Sequence, residues 1–369
     1  MGDYIHPLMI SIVGAGPIGC YTAYLLAKSG ETVQIFEKNK KIGQHIKCTG
    51  LVTSKIEQLI HIPDSLIMNK IKKVKVNSPN VSTIFKLRNP ELILNRTKFD
   101  QYLAKKAKKR GVIIHLNHKF LKIKENRLII QTAKGTKSFS SDIIIGADGP
   151  NSAIAKIINN HQQKYHIGMQ VIAKLKHPKS FYEVFLGEDK GNFAWIVPET
   201  NQIARIGMLT NNNKQIKSFL KTQNIKILTY SSGPIPIYKN LKLQKKNMYI
   251  VGDAAAQLKN TTGGGIVMGL SSAKILVNAI LKRKNYHKLF NKQIKTHLIT
   301  HHLAYKFLKT FTDKDYDDLI GFCSRTKIKK IIEKADREKP IKPLIQLVLK
   351  EPRFLFFSKN LIKFINNKQ

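Results

Sequence analysis

The stretch Gly14-Ala15-Gly16-Pro17-Ile18-Gly19 places three glycines at the spacing that lets a backbone wrap a phosphate. Met9 to Val13 before it reads as a buried strand, Cys20 to Ser29 after it as a helix stopped by Gly30, and Thr32 to Phe36 as a second strand. Gly14 permits the tight turn, Gly16 lets the chain approach a pyrophosphate, and Gly19 allows close packing of helix on strand. With Ala15 in the turn, the helix N-terminus then faces the phosphates. Glu37 closes the second strand at the distance where a carboxylate binds ribose hydroxyls, and its charge would repel a 2′-phosphate. The chemistry indicated is the binding of a dinucleotide, FAD or NAD.

Three later stretches complete the pattern. Leu94-Asn95-Arg96-Thr97-Lys98-Phe99-Asp100 opens a helix that continues through Leu103 and Ala107. Ile143-Ile144-Ile145-Gly146-Ala147-Asp148-Gly149-Pro150-Asn151-Ser152 is an apolar strand breaking into an Asp-Gly turn. Tyr249-Ile250-Val251-Gly252-Asp253-Ala254-Ala255 is followed by Gly263-Gly264-Gly265-Ile266 and a helix of small residues. In this order the stretches resemble the landmarks of the flavoprotein hydroxylase superfamily, which implies FAD rather than NAD. The resemblance implies that Arg96 reaches the FAD, that Asp148 supports the loop around it, and that Asp253 holds the ribityl hydroxyls. It also implies that the amides of Gly264, Gly265 and Ile266 face the flavin ring.

Within that superfamily the chain most resembles the archaeal geranylgeranyl reductase group, which includes the digeranylgeranylglycerophospholipid reductases of archaeal membrane-lipid (phospholipid) biosynthesis. Cys48-Thr49-Gly50-Leu51 is similar to that group's flavin loop, and Phe193-Ala194-Trp195-Ile196-Val197-Pro198 to its aromatic-Trp-Pro signature. Gly233-Pro234-Ile235-Pro236 and Thr261-Thr262-Gly263-Gly264-Gly265-Ile266 match at the expected offsets. The implied activity is that of an FAD-dependent oxidoreductase saturating C=C bonds of geranylgeranyl chains in isoprenoid lipids, by hydride transfer from reduced flavin. A flavin monooxygenase of an aromatic or lipid substrate shares the same three FAD motifs and is the alternative. A halogenase, or a flavin-bound lipid carrier without catalysis, stands further off. The chain departs from the group at Ala256, where Gly or Arg is common, at Asn260, usually Pro, and at Val197, usually aromatic. These departures leave FAD binding intact and bear on substrate and catalysis.

Cys48 is the candidate catalytic residue, as proton donor or isoalloxazine contact; the competing reading is a small buried side chain. Tyr182, Phe185 and Trp195, with Pro198 nearby, form the expected wall of an apolar substrate pocket, although core packing accounts for a strand tryptophan equally well. His297, His301 and His302 share a helix and read as a solvated face rather than a metal site. Asp313, Asp315, Asp317 and Asp318 lack the glycine and closing Glu of a calcium loop and read as a helix start. No metal is expected.

The chain has 369 residues, 64 Lys+Arg against 23 Asp+Glu, and a formal charge of +41. That charge suits anionic partners: an acidic membrane surface or an acidic electron-transfer protein. The lysines are nevertheless spread throughout, as compositional bias would spread them. Nucleic acid is not expected, for lack of any recognition motif. Without a second GxGxxG unit, electrons would come from transiently bound NAD(P)H or from a ferredoxin. Three dispersed cysteines indicate a reducing compartment. With no signal sequence and no apolar run long enough to span, the expected location is cytoplasmic, with peripheral attachment to the inner face of the membrane. A basic amphipathic tail from Pro352 through Phe354, Phe357, Leu361, Lys363 and Ile365 could lie on such a surface or pack on the protein.

The expected fold is α/β: a Rossmann-type FAD-binding domain of segments 1–75, 95–157 and 240–283, interleaved with a mainly antiparallel β-sheet substrate domain of 76–94 and 158–239. A helical C-terminal region, 284–369, follows, with breaks near Asp313 and Pro340.

Overall fold

The computed structural model describes residues 7–360 except 126, 161, 178 and 190, and also leaves aside the side chain of Leu355. Leu361, Lys363 and Ile365 of the amphipathic tail lie outside the described residues.

Met9–Val13 is an almost wholly buried strand at the centre of a six-stranded sheet. It pairs in parallel with Thr32–Phe36 on one side and Ile143–Gly146 on the other, and the last of these pairs in parallel with Met248–Ile250. A parallel strand covered on both faces is mostly apolar, and the polar exceptions here pair with each other, Gln34 Nε2 donating to buried Ser11 Oγ at 3.0 Å. The helix Pro17–Lys28 crosses over the sheet and buries Cys20, Tyr21, Ala23 and Leu26. Proline at its first position costs no hydrogen bond, because that N–H would have no partner in any helix. Against it pack the helices Arg96–Lys108 and Ile266–Leu281. A small antiparallel sheet, Lys119–Lys124, Arg127–Thr132 and Gly135–Ser140, sits within the same unit.

The second sheet has eight strands in the order 226–236, 165–174, 203–209, 193–198, 181–186, 67–77, 82–94 and 51–52. All its pairings are antiparallel except that of Phe181–Leu186 with Ile67–Asn77. The sheet therefore takes in Ile67–Asn77, and the crossing out of the FAD-binding segment comes at about residue 66, ahead of the boundary at 75 read from the sequence. A strand of mostly exposed lysines conceals that edge, since Lys70, Lys72, Lys73 and Lys75 mask its alternation.

The two faces of this sheet have different neighbours. Ala194, Ile196, Met208 and Phe185 pack under the helix Asn213–Lys221 through Ile216, Phe219 and Leu220. Tyr182, Trp195, Val197 and Leu209 lie on the opposite face with Ile71, Phe85 and Ile93. The period of two along a strand enforces this division.

From Tyr286 the chain is helical, through Thr296–Leu308, Asp313–Ser324, Thr326–Lys334 and Ile341–Lys350. Thr312 caps the helix Asp313–Ser324 in a reciprocal capping box with Asp315. The acidic island is thus a helix start, and among the described residues no group of three His, Cys, Asp or Glu could hold a metal.

Candidate functional site

The glycine turn opens directly from the central strand. Gly14 has φ +103°, and a Cβ there would meet Ala147 O at 2.5 Å; one at Gly19 would meet Gly14 O at 2.0 Å. Both positions require glycine because neighbouring backbone occupies the space. Gly16 differs: its φ is −68° and nothing lies within 4 Å of its would-be Cβ. This open ground at the uncapped N-terminus of a helix is what a pyrophosphate needs. Glu37 curls back to the turn, its Oε2 accepting from Ala15 N at 2.8 Å and its Oε1 from Asn39 N at 2.9 Å. The carboxylate is thereby fixed beside the turn.

Asp148 caps the helix Ala153–Asn159, accepting from Ala153 N at 2.8 Å. Its other oxygen is buried with no partner, and burial pushes the carboxyl pKa up. An orphaned carboxylate oxygen beside the turn is a feature expected of a ligand-binding loop. Asp253 follows the strand Met248–Ile250 in a short 3-10 turn. Burial raises its pKa as well, with Arg96 opposing. A Cβ at Gly265 would come within 2.9 Å of Asp253 Oδ1. Glycine there lets the Asp253 carboxylate and the N-terminus of helix Ile266–Leu281 sit together without the carboxylate turning aside.

Arg96 is buried and held by Asp100 through Nε and Nη2, at 3.1 to 3.2 Å. Burial works against its charge, but Asp100 and the neighbouring Cys48 more than offset this and raise its pKa. The guanidinium therefore lies within reach of the Cys48 thiol. Cys48 is half-buried, its sulfur accepting from Gly50 N at 3.4 Å. Gly50, at φ +81°, lies so close to Leu94 O that a Cβ would meet it at 2.5 Å. The loop is tied to the second sheet as well: Thr49 Oγ1 donates to Gln170 Oε1 at 3.0 Å, and Arg205 Nη1 donates to Cys48 O at 3.1 Å.

Gln170, Gly207 and Trp195 sit side by side in register. A Cβ at Gly207 would overlap the Trp195 ring at 2.4 Å, so this glycine makes room for the indole. The Trp195 N–H is buried without a partner. The face carrying Trp195 and Tyr182 is therefore the one turned to the Cys48 loop. The expectation that Tyr182, Phe185, Trp195 and Pro198 form one wall needs correction. Phe185 meets Phe219 edge-on beneath the covering helix, and Pro198 shares the parity of Ala194 and Ile196. Side-chain alternation puts those two on the far side of the sheet.

The histidines also depart from expectation. His301 is buried, not solvated, and its Nδ1 lies 2.7 Å from Thr261 Oγ1 at the start of the glycine loop. Desolvation, reinforced by Lys259, lowers its pKa from 6.5 to about 4. His302 contacts Asn260 Oδ1 at 3.2 Å. Asn260 also accepts from Tyr238 N and donates to Pro236 O, a buried amide that binds the loop to the strand ending at Pro236. Ala256 adopts the left-handed conformation, φ +52°, which glycine enters without strain.

Residues invisible to motif reading close the site from the C-terminal side. Lys259 Nζ donates to Glu338 Oε1 at 2.6 Å, both side chains being buried, and Thr53 donates to the same oxygen at 2.9 Å. Next in sequence, Arg337 pairs with buried Glu91 and donates to Tyr182 OH at 2.6 Å. These partners are far apart in sequence and belong to no motif.

A family model described as an FAD binding domain matches residues 8–234. The chain belongs to that family of FAD-binding proteins, and its cofactor is FAD. A geranylgeranyl diphosphate reductase of Synechocystis is 25% identical over 92% of this chain and 95% of that protein. Digeranylgeranylglycerophospholipid reductase 3 of Methanosphaera stadtmanae is 27% identical over 95% and 98%. The crystal structure of a geranylgeranyl bacteriochlorophyll reductase-like protein from Thermoplasma acidophilum superposes with a TM-score of 0.82 at 20% identity, covering 97% of this chain and 99% of that one.

The residues present fit FAD. The open ground at Gly16, the orphaned oxygen of Asp148 and the carboxylate of Asp253 would take its pyrophosphate and sugar-alcohol portions, with Glu37 at the ribose. The 264–266 amides and the Cys48–Gly50 loop would border the ring. Bound there, FAD supplies reversible hydride chemistry.

Proposed function

We propose that this protein reduces C=C bonds in geranylgeranyl chains of isoprenoid lipids. One alkene carbon receives a hydride from reduced flavin and the other a proton, leaving a CH–CH single bond and oxidised flavin. The observation that carries the reading is the apolar sheet face of Trp195 and Tyr182 turned toward the Cys48 loop beside the FAD cradle. A long hydrocarbon needs such a surface, with few polar groups, to exclude water from the hydride. The names of the relatives in Synechocystis and Methanosphaera support the same substrate class. Cys48, beside Arg96, is the group we assign to proton delivery or ring contact.

The electron source in this reading is NAD(P)H or a ferredoxin, the latter favoured by a chain of charge +41. Among the described residues no helix is long and apolar enough to cross a membrane. In this reading the protein meets its lipid by peripheral contact from the cytoplasmic side.

The test is anaerobic incubation of chemically reduced holoenzyme with a geranylgeranyl lipid, following flavin absorbance and product mass together. Reoxidation with two mass units gained per bond is expected. Reoxidation only after oxygen is admitted, with an oxygen atom added to the product, would overturn the reading in favour of a monooxygenase.

A further inference from the structure

The helix Ile341–Lys350 has no buried residue at all. Leu344, Ile345, Val348 and Leu349 are 40, 55, 49 and 74% exposed. Positions 344 and 348, and 345 and 349, lie one turn apart, so these four make a single apolar stripe facing solvent. An exposed stripe of this kind in a helix rooted by the Arg337–Glu91 pair and the buried Glu338–Lys259 pair marks an interaction surface. Its flank is basic. Lys339, Lys342 and Lys350 are exposed. Between Lys339 and Asn360 the only acidic residue is Glu351, which is buried and paired with Arg353 and Arg325.

At the start of the helix an open groove of about 470 Å³ is lined by His297, Lys339, Ile341, Lys342, Ile345 and Gln346. It combines cations at the rim with an apolar floor. His297 stands one turn before His301, which contacts Thr261 of the flavin loop, so about 5–6 Å of helix separates groove from loop.

We infer that the Ile341–Lys350 face, with this groove at its end, is where the protein docks on an anionic lipid bilayer. Insertion of the stripe to the depth of the acyl boundary removes the four apolar side chains from water, while Lys339, Lys342 and Lys350 meet lipid phosphates. Charge selects this occupant over a second copy of the chain, since two molecules of charge +41 would bring like-charged rims together. The inference rests on the lipid-substrate reading for its purpose: the flavin loop lies beside the surface from which a membrane-resident chain would enter.

The experiment is co-sedimentation of full-length, FAD-loaded protein with vesicles of phosphatidylcholine alone or mixed with phosphatidylglycerol, without isoprenoid lipid and without turnover. Binding to the mixed vesicles is expected. Ile345→Ser/Leu349→Ser should weaken it at least about tenfold, and Lys342→Gln/Lys350→Gln by about fivefold per charge. Because all four side chains are exposed, flavin content and thermal midpoint should stay at wild-type values. Variants that pellet like wild type would overturn the inference. So would a wild-type dimer that the Ser variant dissociates while vesicles remain unbound. Failure of docking with reduction of detergent-dispersed lipid intact would leave the proposed activity standing, and the reverse result would remove the activity alone.

Discussion

Gly16→Ala separates cofactor binding from folding more cleanly than a change at Gly14 or Gly19. At Gly14 and Gly19 an added methyl strikes backbone, and the fold must shift. At Gly16 the backbone is already in a conformation that alanine adopts, and no atom lies within 4 Å of the new Cβ. The apoprotein should therefore be as stable as wild type or gain about 0.4–1 kcal/mol, through the loss of glycine's freedom in the unfolded chain. The same methyl occupies the ground that the pyrophosphate must approach. Holding the phosphates off the helix N-terminus weakens about two charge-assisted hydrogen bonds at roughly 1.5 kcal/mol each, or about 3 kcal/mol together. That corresponds to a rise of about a hundredfold in the FAD dissociation constant. Titration of apoprotein by flavin fluorescence, with a thermal melt of the same sample, reads both quantities. FAD affinity within threefold of wild type would refute the placement of the pyrophosphate over Gly16, and a destabilised apoprotein would refute the claim of free space.

Four further outcomes follow from the same geometry. Cys48→Ala should lower single-turnover reduction of a geranylgeranyl lipid at least tenfold with FAD still bound, and an unchanged rate would remove the thiol from the chemistry. Lys259→Met strands Glu338 in a buried site and should cost about 3–5 kcal/mol in denaturant unfolding, whereas Lys259→Met/Glu338→Leu should recover most of it. His301 binds its proton more weakly folded (about 4) than unfolded (6.5), so stability should hold above pH 6.5 and fall by about 2–4 kcal/mol toward pH 4, a slope that His301→Gln removes. At Ala256, relief of about 1–2 kcal/mol of left-handed strain is opposed by loss of a buried methyl and by glycine's unfolded-state entropy. Ala256→Gly should accordingly shift unfolding by less than about 1 kcal/mol, and a loss above 2 would show that the methyl's packing dominates.

Local chemistry made the cofactor cradle readable from sequence. A glycine that avoids a backbone clash, a carboxylate closing a strand and an apolar run before a turn are each specified by a few consecutive residues, and the order of those stretches fixes how they assemble. Gly14, Gly19, Glu37, Asp148 and Gly265 stand in contacts that their types alone imply. The outward lysines of the strand 67–77 obscure its alternation, and the aromatic type of Phe185 does not say which face it takes, which only its register opposite Ala194 decides. Tertiary structure alone decided that His301 is buried against Thr261, that Asn260 binds a loop to a strand, and that Arg337 and Glu338 reach back to Glu91, Tyr182, Thr53 and Lys259. A motif records neighbours along the chain, whereas a buried ion pair joins residues whose separation in sequence carries no information about their distance in space. It stands only because the surrounding fold excludes water from both partners at once.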